Sequence, residues 1–138
     1  MEKDGNQQLR LAIQRLARRI RANAADDEVS ESQRSVLFTL DNHGQQSLGS
    51  LSDYECVTPP SMNRTVNALV ASGLVTRVTA EDDARRIEID LSASGHAFVD
   101  ETRRRRDVWF TQQLEALTKD QRRILDQAVP ILKELAEQ

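Results

Sequence analysis

The sequence predicts a mainly α-helical protein with one small β-hairpin. The chain has 138 residues, of which 30% are charged and only five are glycine, and this composition favours helices. Apolar residues recur at helical spacing along most of the chain, whereas strict alternation of apolar and polar residues is confined to two neighbouring segments. The length is enough for one domain that buries its own core.

The first predicted helix runs from Asn6 to about Ala25 and carries one apolar stripe. The stripe consists of Leu9, Ile13, Leu16 and Ile20. It is interpreted either as part of the core or as a subunit interface. The opposite face is rich in arginine, which is most often a solvated face and less often one that contacts phosphate.

A second helix is predicted to start at Ser30, because Ser30 followed by Gln33 is a capping-box pattern. His43 and Gly44 are expected to end it, since glycine accepts a left-handed conformation. Residues 44–47 are expected to form a polar loop.

Two short helices are predicted next. The first spans Leu48 to Glu55, and Cys56-Val57 form the turn after it. Thr58 then caps the following helix, with Pro59 at its first position, where a missing N–H has no cost. Two short helices joined by such a turn are typical of a helix-turn-helix.

The helix from Pro59 to Ser72 has one apolar side and one side of small polar residues. Its apolar residues are Met62, Val66, Leu69 and Val70. The opposite side holds Pro60, Ser61, Arg64, Asn67, Ala68 and Ala71, with Asn63 toward one flank. That side has neither lysine nor glutamate, which an ordinary surface helix usually carries there. Small polar residues and one arginine suit a helix that enters the major groove of DNA, so we interpret it as a recognition helix.

A charged hairpin follows Gly73, which is expected to end the helix. Residues 74–79 and 87–91 alternate like strands, and the tip from Ala80 to Arg86 is charged. The stretch from Leu48 to Gly95 therefore predicts a winged helix-turn-helix. Arg85 and Arg86 at the tip suit a minor groove, although charged hairpin tips are common in soluble proteins.

Two further helices complete the chain. Ser92 is expected to cap a long helix that runs to about Leu117, and Thr118 with Gln121 forms a second capping box. Four consecutive arginines, 103–106, are interpreted as solvated and partly ion-paired, with contact to the DNA backbone as the alternative. Trp109 and Phe110 are expected in a core or an interface. Pro130 is expected to kink or restart the last helix.

Charge and composition exclude several classes of function. A net charge of −3 and a pI near 5.4 argue mildly against a nucleic-acid partner, yet phosphate binding depends on local arginine placement. One cysteine and two separated histidines exclude an intramolecular disulfide and give no zinc-ligand spacing. We expect neither metal nor cofactor, and no nucleophile-and-base pattern indicates an enzyme. Cys56 is expected to be a partly buried thiol rather than an oxidant sensor.

No apolar run approaches the roughly 20 residues of a membrane span, and the N-terminus lacks the apolar core of a signal peptide. We therefore expect a cytoplasmic protein that does not enter a membrane.

These motifs resemble the multiple antibiotic resistance regulator (MarR) family of winged helix-turn-helix transcription factors over nearly the whole chain. The family pattern D-x-R, five residues, L-T-x-x-G is carried here by Asp83, Arg85, Leu91, Ser92 and Gly95, with serine in place of threonine. Asn63-Arg64 takes the place of the usual Thr-Arg pair, and residues 73–77 match the exit from helix to strand. The chain departs from the family at Glu55, where an apolar residue is usual, at Cys56, where a small turn residue is common, and at Pro130.

The resemblance implies a site for double-stranded DNA. Arg64 would contact the major groove or its phosphates, Arg85 would reach the minor groove, and Asp83 would hold Arg85 in place. The candidate DNA-binding residues are Thr58, Pro60, Ser61, Asn63, Arg64, Asn67, Asp83, Arg85 and Arg86. A winged-helix module that binds protein instead of DNA is the alternative, supported by the acidic pI.

The resemblance also implies a homodimer, mainly α-helical with a small β-hairpin wing. The DNA-binding lobe would span about residues 30–91, and long N- and C-terminal dimerisation helices would come from about 6–25 and 92–138. Such a dimer binds a pseudo-palindromic operator, most relatives repress transcription, and many are released by a small aromatic ligand. No charged or aromatic cluster in the sequence marks a pocket for that ligand.

Overall fold

The computed structural model describes residues 2–23 and 29–138, and the chain divides into two compact units. The winged unit is Ala25–Arg104, and the terminal-helix unit is Met1–Ala24 together with Arg105–Gln138. The elements in chain order are α1 (Glu2–Ala22), α2 (Glu31–His43), β1 (Gln46–Ser47), α3 (Leu48–Glu55), α4 (Pro59–Ala71), β2 (Val75–Thr79), β3 (Ile87–Leu91), α5 (Ala93–Glu115) and α6 (Lys119–Glu137). The predicted fold class is therefore confirmed, while the predicted helix end near Ala25 lies outside the described residues.

The core of the winged unit draws apolar side chains from each of its longer elements. Helix α2 contributes Val36, Leu37 and Leu40, which are at most 2% exposed. The remaining members with an exposed fraction of 6% or less are Leu51, Met62, Val66, Leu69, Val75, Ile89, Leu91 and Val99. Burial of each such side chain stabilises the fold by about 1.5 to 3 kcal/mol before entropy is counted. This core fixes α3 and α4 on the sheet and on α2.

The sheet has three antiparallel strands in the order β1-β3-β2. Val75 pairs with Leu91 at one end and Thr79 pairs with Ile87 at the other. The first strand, β1, was expected to be part of a polar loop, and that expectation is wrong, because Gln46 pairs with Ile89 and Ser47 with Glu88. Glutamine and serine give no strand signal of their own, so distant pairing partners decide their conformation.

Side-chain caps begin the helices where the sequence predicts them. Ser30 and Gln33 exchange both capping-box hydrogen bonds, as do Thr118 and Gln121. Ser47 also caps α3, since its hydroxyl accepts from the N–H of Ser50 at 3.1 Å. Gly73, with φ of 78°, ends the turn after α4, where glycine adopts a positive φ without strain.

The turn between α3 and α4 contains a strained residue. Cys56 has φ of 55° and ψ of 42°, the left-handed region, and its side chain is exposed rather than partly buried as expected. The left-handed turn directs the chain from α3 into α4, and it turns the thiol outward. A residue with a Cβ is about 1 to 2 kcal/mol less stable in this conformation than glycine.

We expect Cys56→Gly to raise the free energy of unfolding by about 0.5 to 1 kcal/mol. Glycine relieves the strain, although its greater freedom in the unfolded chain offsets part of the gain. Urea unfolding followed by circular dichroism measures the change, and Cys56→Ala is the matched control that removes the thiol but keeps the Cβ. A stability of Cys56→Gly below that of Cys56→Ala would contradict the expectation.

The terminal-helix unit leaves large apolar side chains exposed. On α1 these are Leu9, Ile13 and Leu16, and on α6 they are Ile124, Leu125, Val129, Ile131, Leu132 and Leu135. An open apolar groove of about 470 Å³ is lined mainly by leucines of α1, α5 and α6. The Arg19 guanidinium lies 5.3 Å from the centre of the Trp109 ring, a cation–π distance. Trp109 and Phe110 are both half-buried.

Pro130 was expected to kink or restart the last helix; the helix is continuous through Pro130, so the restart does not occur. Proline removes one backbone hydrogen bond to the residue four positions before it, here Asp126. Both Pro130 and Asp126 are exposed, so water can reach this side of the helix. No helix within the described residues is long and apolar enough to span a membrane.

Candidate nucleic-acid interface

Helix α4 lies with its apolar side in the core of the winged unit and its polar side in solvent. Met62, Val66 and Leu69 are at most 2% exposed, whereas Asn63 and Arg64 are exposed on the other side. Within the described part of the chain, Arg64 makes no hydrogen bond or ion pair. Its charge is therefore free to meet an anionic partner.

The N-terminus of α4 is fixed by Thr58. Its hydroxyl oxygen accepts from the N–H of Ser61 at 3.3 Å, and the exposed Pro59 and Pro60 follow directly. The hydroxyl keeps its own proton as a donor. Ser61 is half-buried, and its carbonyl accepts from Thr65 at 3.3 Å, so the predicted residues at this end serve the local structure as well.

Glu55 shows how the chain accommodates a carboxylate where the family usually has an apolar side chain. The half-buried carboxylate accepts hydrogen bonds from the hydroxyls of Ser35 at 2.7 Å and Thr39 at 3.0 Å. Both donors lie on α2, so the three residues anchor the end of α3 on α2. Hydrogen bonds to an ionised group are stronger than those between neutral groups, and they fix the start of the turn that leads to α4.

The wing tip presents the Arg85 side chain to solvent, while Asp83 binds the backbone N–H and the Nε of Arg85. The Asp83 carboxylate accepts from the backbone N–H of Arg85 at 2.9 Å and from its Nε at 3.4 Å. The Arg85 side chain is 93% exposed, so its outer nitrogens remain available. The contact of Asp83 with Arg85 is the one that the resemblance implies for Asp83.

Arg86 is held differently from its neighbour. Its guanidinium lies 2.9 Å from Asp82 and 3.1 Å from Glu88. Two carboxylates therefore balance its charge, and the backbone bond from Ala80 N–H to the Arg86 carbonyl at 2.9 Å closes the tip. Arg86 stabilises the tip more directly than it offers a free cation.

The base of the wing is joined to α5 by Ser92 and Gly95. The Ser92 hydroxyl accepts from the Gly95 N–H at 3.0 Å and donates to the Gly73 carbonyl. A Cβ added at Gly95 would lie 2.0 Å from the Leu74 carbonyl oxygen, closer than any non-bonded contact. The bonds at position 92 need only a hydroxyl, which serine supplies as threonine would, whereas the close approach at position 95 requires glycine.

The structure adds one residue that the candidate list lacks, namely Arg77 on β2. An Nη2 nitrogen of Arg77 donates a hydrogen bond to the Oδ1 atom of Asn67 on α4. Both residues are exposed. Alternation along β2 predicts that Arg77 points to solvent, but the helix-to-strand bond depends on the packing of α4 against the sheet.

The four consecutive arginines are partly ion-paired, as predicted. Arg103 lies 2.6 Å from Asp41, donates to Asn42 at 3.2 Å and stacks over Phe38. The carboxylate of Glu101 accepts hydrogen bonds from Arg104 and raises its pKa above the ordinary value. The Arg103 contacts hold α5 on α2, whereas the Arg104 pair lies within α5 itself.

Together these elements define the class of winged helix-turn-helix proteins: a short helix, a tight turn, an exposed polar helix and a hairpin with an exposed arginine. The residues that the structure describes include no group of three or more histidine, cysteine or acidic side chains that could hold a metal ion.

Comparison with known proteins identifies the family. The MarR family model matches residues 29–87. An HTH-type transcriptional regulator of Mycobacterium leprae is 38% identical over 130 residues, which cover 94% of this chain and 91% of that protein. The chain therefore belongs to the MarR family of DNA-binding transcriptional regulators, and the family and this relative are regulators rather than enzymes.

Solved structures agree with this fold. A transcriptional regulator of Pseudomonas aeruginosa superposes with a TM-score of 0.86 at 27% identity, covering 99% of this chain and 97% of that one. A variant of Staphylococcus aureus MepR bound to an oligodeoxyribonucleotide has a TM-score of 0.70 at 17% identity, with 96% of each chain covered. The second likeness shows the fold alone.

Proposed function

We propose that the chain is a homodimeric repressor that binds a pseudo-palindromic operator. The observation that supports this most strongly is the exposed side of α4, where Arg64 has no partner within the described residues. An unpaired arginine among small polar residues on a helix buried only on its other side can approach base edges and phosphates closely. The oligodeoxyribonucleotide bound to the MepR variant supports DNA as the partner.

In this proposal, α4 enters the major groove and the wing reaches the minor groove. On α4 and its N-cap, the residues proposed to face DNA are Thr58, Pro60, Ser61, Asn63, Arg64 and Asn67. On the wing, Arg85 supplies the inserted charge, because a narrow minor groove attracts arginine. Asp83 positions Arg85, and Arg86 keeps the tip closed.

The proposed organisation assigns DNA binding to about residues 30–91 and dimerisation to about 6–25 and 92–138. The support for dimerisation is the set of exposed apolar side chains on α1 and α6, including Leu9 and Leu132. Soluble proteins seldom expose large contiguous apolar surface, and two-fold pairing is the commonest way to cover it. A dimer would bind two half-sites about 34 to 36 Å apart on one face of the duplex.

Repression and release are further parts of the proposal. A dimer bound across a promoter blocks transcription by occupying the DNA, and family resemblance supports release by a small aromatic ligand. This role also places the protein in the cytoplasm with the chromosome. The alternative of a module that docks only on protein is not favoured, because relatives and family are DNA-binding regulators.

We expect Arg64→Ala and Arg85→Ala to weaken operator binding, each by about 1 to 3 kcal/mol, because each removes a charged contact to DNA. A gel-shift titration at about 0.1 M salt, close to physiological ionic strength, measures this. Both side chains are exposed, so melting temperatures should stay close to wild type.

The control for these variants is Arg123→Ala. Arg123 is an exposed arginine of α6 that pairs with Asp120 at 3.2 Å, so the variant loses the same charge at a position outside the winged unit. If both test variants bind the operator as tightly as the control variant does, the proposal is contradicted. Partner binding that is insensitive to salt would instead indicate protein docking.

A further inference from the structure

The contact between Arg77 and Asn67 links the recognition helix to the strand that leaves it. Asn67 lies about 60° around α4 from Arg64, at 100° per residue, so it stands toward one flank of the exposed side. Arg77 reaches Asn67 from β2, which follows α4 after the Gly73 turn. The guanidinium therefore lies beside the helix rather than beyond its outermost side chains.

Arg77 differs from the wing arginines in the kind of side chain to which it is bonded. Asp83 accepts from Arg85, and Asp82 and Glu88 pair with Arg86. Asn67, by contrast, is neutral, and Arg77 has no acidic partner in the part of the chain that the structure describes. The hydrogen bond thus fixes the orientation of the guanidinium and leaves its full positive charge uncompensated. Guanidinium has five N–H donors, so most of them remain for another acceptor.

The dimensions of DNA indicate which group of the DNA would accept hydrogen bonds from the remaining N–H donors of Arg77. A helix with its side chains is about 10 to 12 Å across, and the major groove is about 12 Å wide. A helix seated in the groove fills its width, so a cation at its flank meets the sugar-phosphate wall and not the base edges on the floor. Arginine binds phosphate through a planar fork, which is strongest when the fork is already oriented.

We propose that Arg77 is a phosphate contact of the DNA-binding surface and that Asn67 is the residue that positions it. This proposal rests on the proposed DNA-binding function, and it assigns Asn67 a positioning role instead of a direct contact with a base. Arg77 then anchors α4 in the groove and sets the depth at which Arg64 meets the bases.

The test measures operator affinity as a function of salt concentration for three variants. Arg77→Gln should weaken binding about tenfold or more on every operator sequence. The plot of log K against log salt should also become less steep by about 2, because a dimer loses one phosphate contact per subunit. Arg77→Lys keeps the charge and should keep the slope, while it loses part of the affinity. Arg123→Gln, the matched charge control on α6, should leave both quantities as in wild type.

The role of Asn67 is tested by a double-mutant cycle. Asn67→Ala should weaken binding severalfold in the wild-type background and have no further effect in the Arg77→Gln background, because it acts through Arg77. It should change no base preference when bound sequences are compared. An Asn67→Ala effect that persists without Arg77, or that relaxes one base position, would overturn the positioning role.

The remaining outcomes separate this proposal from the function on which it rests. In one outcome, the wild-type protein binds DNA with strong salt dependence and Arg77→Gln shows the same affinity and slope. That result would overturn the phosphate contact and leave the DNA-binding function intact. Wild-type protein without salt-dependent DNA binding would overturn both. Arg77 is exposed on β2, an edge strand of the sheet, and unchanged circular dichroism checks that the variants fold.

Discussion

Gly95→Ala is expected to destabilise the protein by about 3 kcal/mol and to lower its melting temperature by about 10 °C. The new methyl group would lie 2.0 Å from the Leu74 carbonyl oxygen and 3.0 Å from a methyl group of Leu91. The carbonyl belongs to the backbone, so it cannot rotate away as a side chain would. Either α5 or the exit from α4 must move, and the bonds of Ser92 to Gly73 and Leu74 are lost with that movement.

Thermal unfolding followed by circular dichroism measures the effect, at one protein concentration because dimers melt in a concentration-dependent way. Gly49→Ala is the matched control, since Gly49 is also helical and its added Cβ meets only the Ser47 hydroxyl at 3.9 Å. That control should gain up to about 1 kcal/mol from helix propensity. Equal stability of Gly95→Ala and Gly49→Ala would contradict the close approach at position 95.

Leu132→Glu is expected to dissociate the proposed dimer, with a dissociation constant raised at least about 100-fold, or about 2.7 kcal/mol. Leu132 is 42% exposed on the apolar side of α6 and lines the groove together with Leu125 and Val129. A carboxylate buried in an apolar interface without a partner costs several kcal/mol. Operator affinity should fall with the dimer, because one subunit contacts only a half-site.

Sedimentation velocity across a dilution series measures the association. Gln127→Glu introduces the same side chain at an exposed polar position of α6 and should leave the dimer unchanged. A monomeric wild type, or a Leu132→Glu variant that associates like Gln127→Glu, would contradict the proposed interface.

Much of the order of helices and strands was predictable because its signals are local. The capping boxes at Ser30 and Thr118, the Thr58 cap and Gly73 each act within a few residues, so the sequence predicts where the helices begin and end. The apolar spacing of α4 predicts which side is buried for the same reason. Asp83 and Arg85 are only two residues apart, which explains why a motif could anticipate their contact.

What the sequence did not predict depends on contacts between distant residues. Strand β1 exists because Gln46 and Ser47 pair with β3 more than 40 positions away. Glu55 is tolerated because Ser35 and Thr39 on α2 face it. The Arg77 contact with Asn67 likewise requires α4 and β2 to be packed before the two side chains can meet.

Selection of bound DNA from a random pool by the wild-type protein tests the central claim most directly. The proposed dimer predicts enrichment of an inverted repeat whose half-site centres lie about 10 to 10.5 base pairs apart, or one helical turn. It also predicts that the Arg64→Ala variant loses preference within each half-site. Recovery of unenriched sequence, or of single half-sites without a fixed partner, would contradict a dimer that reads an operator through α4.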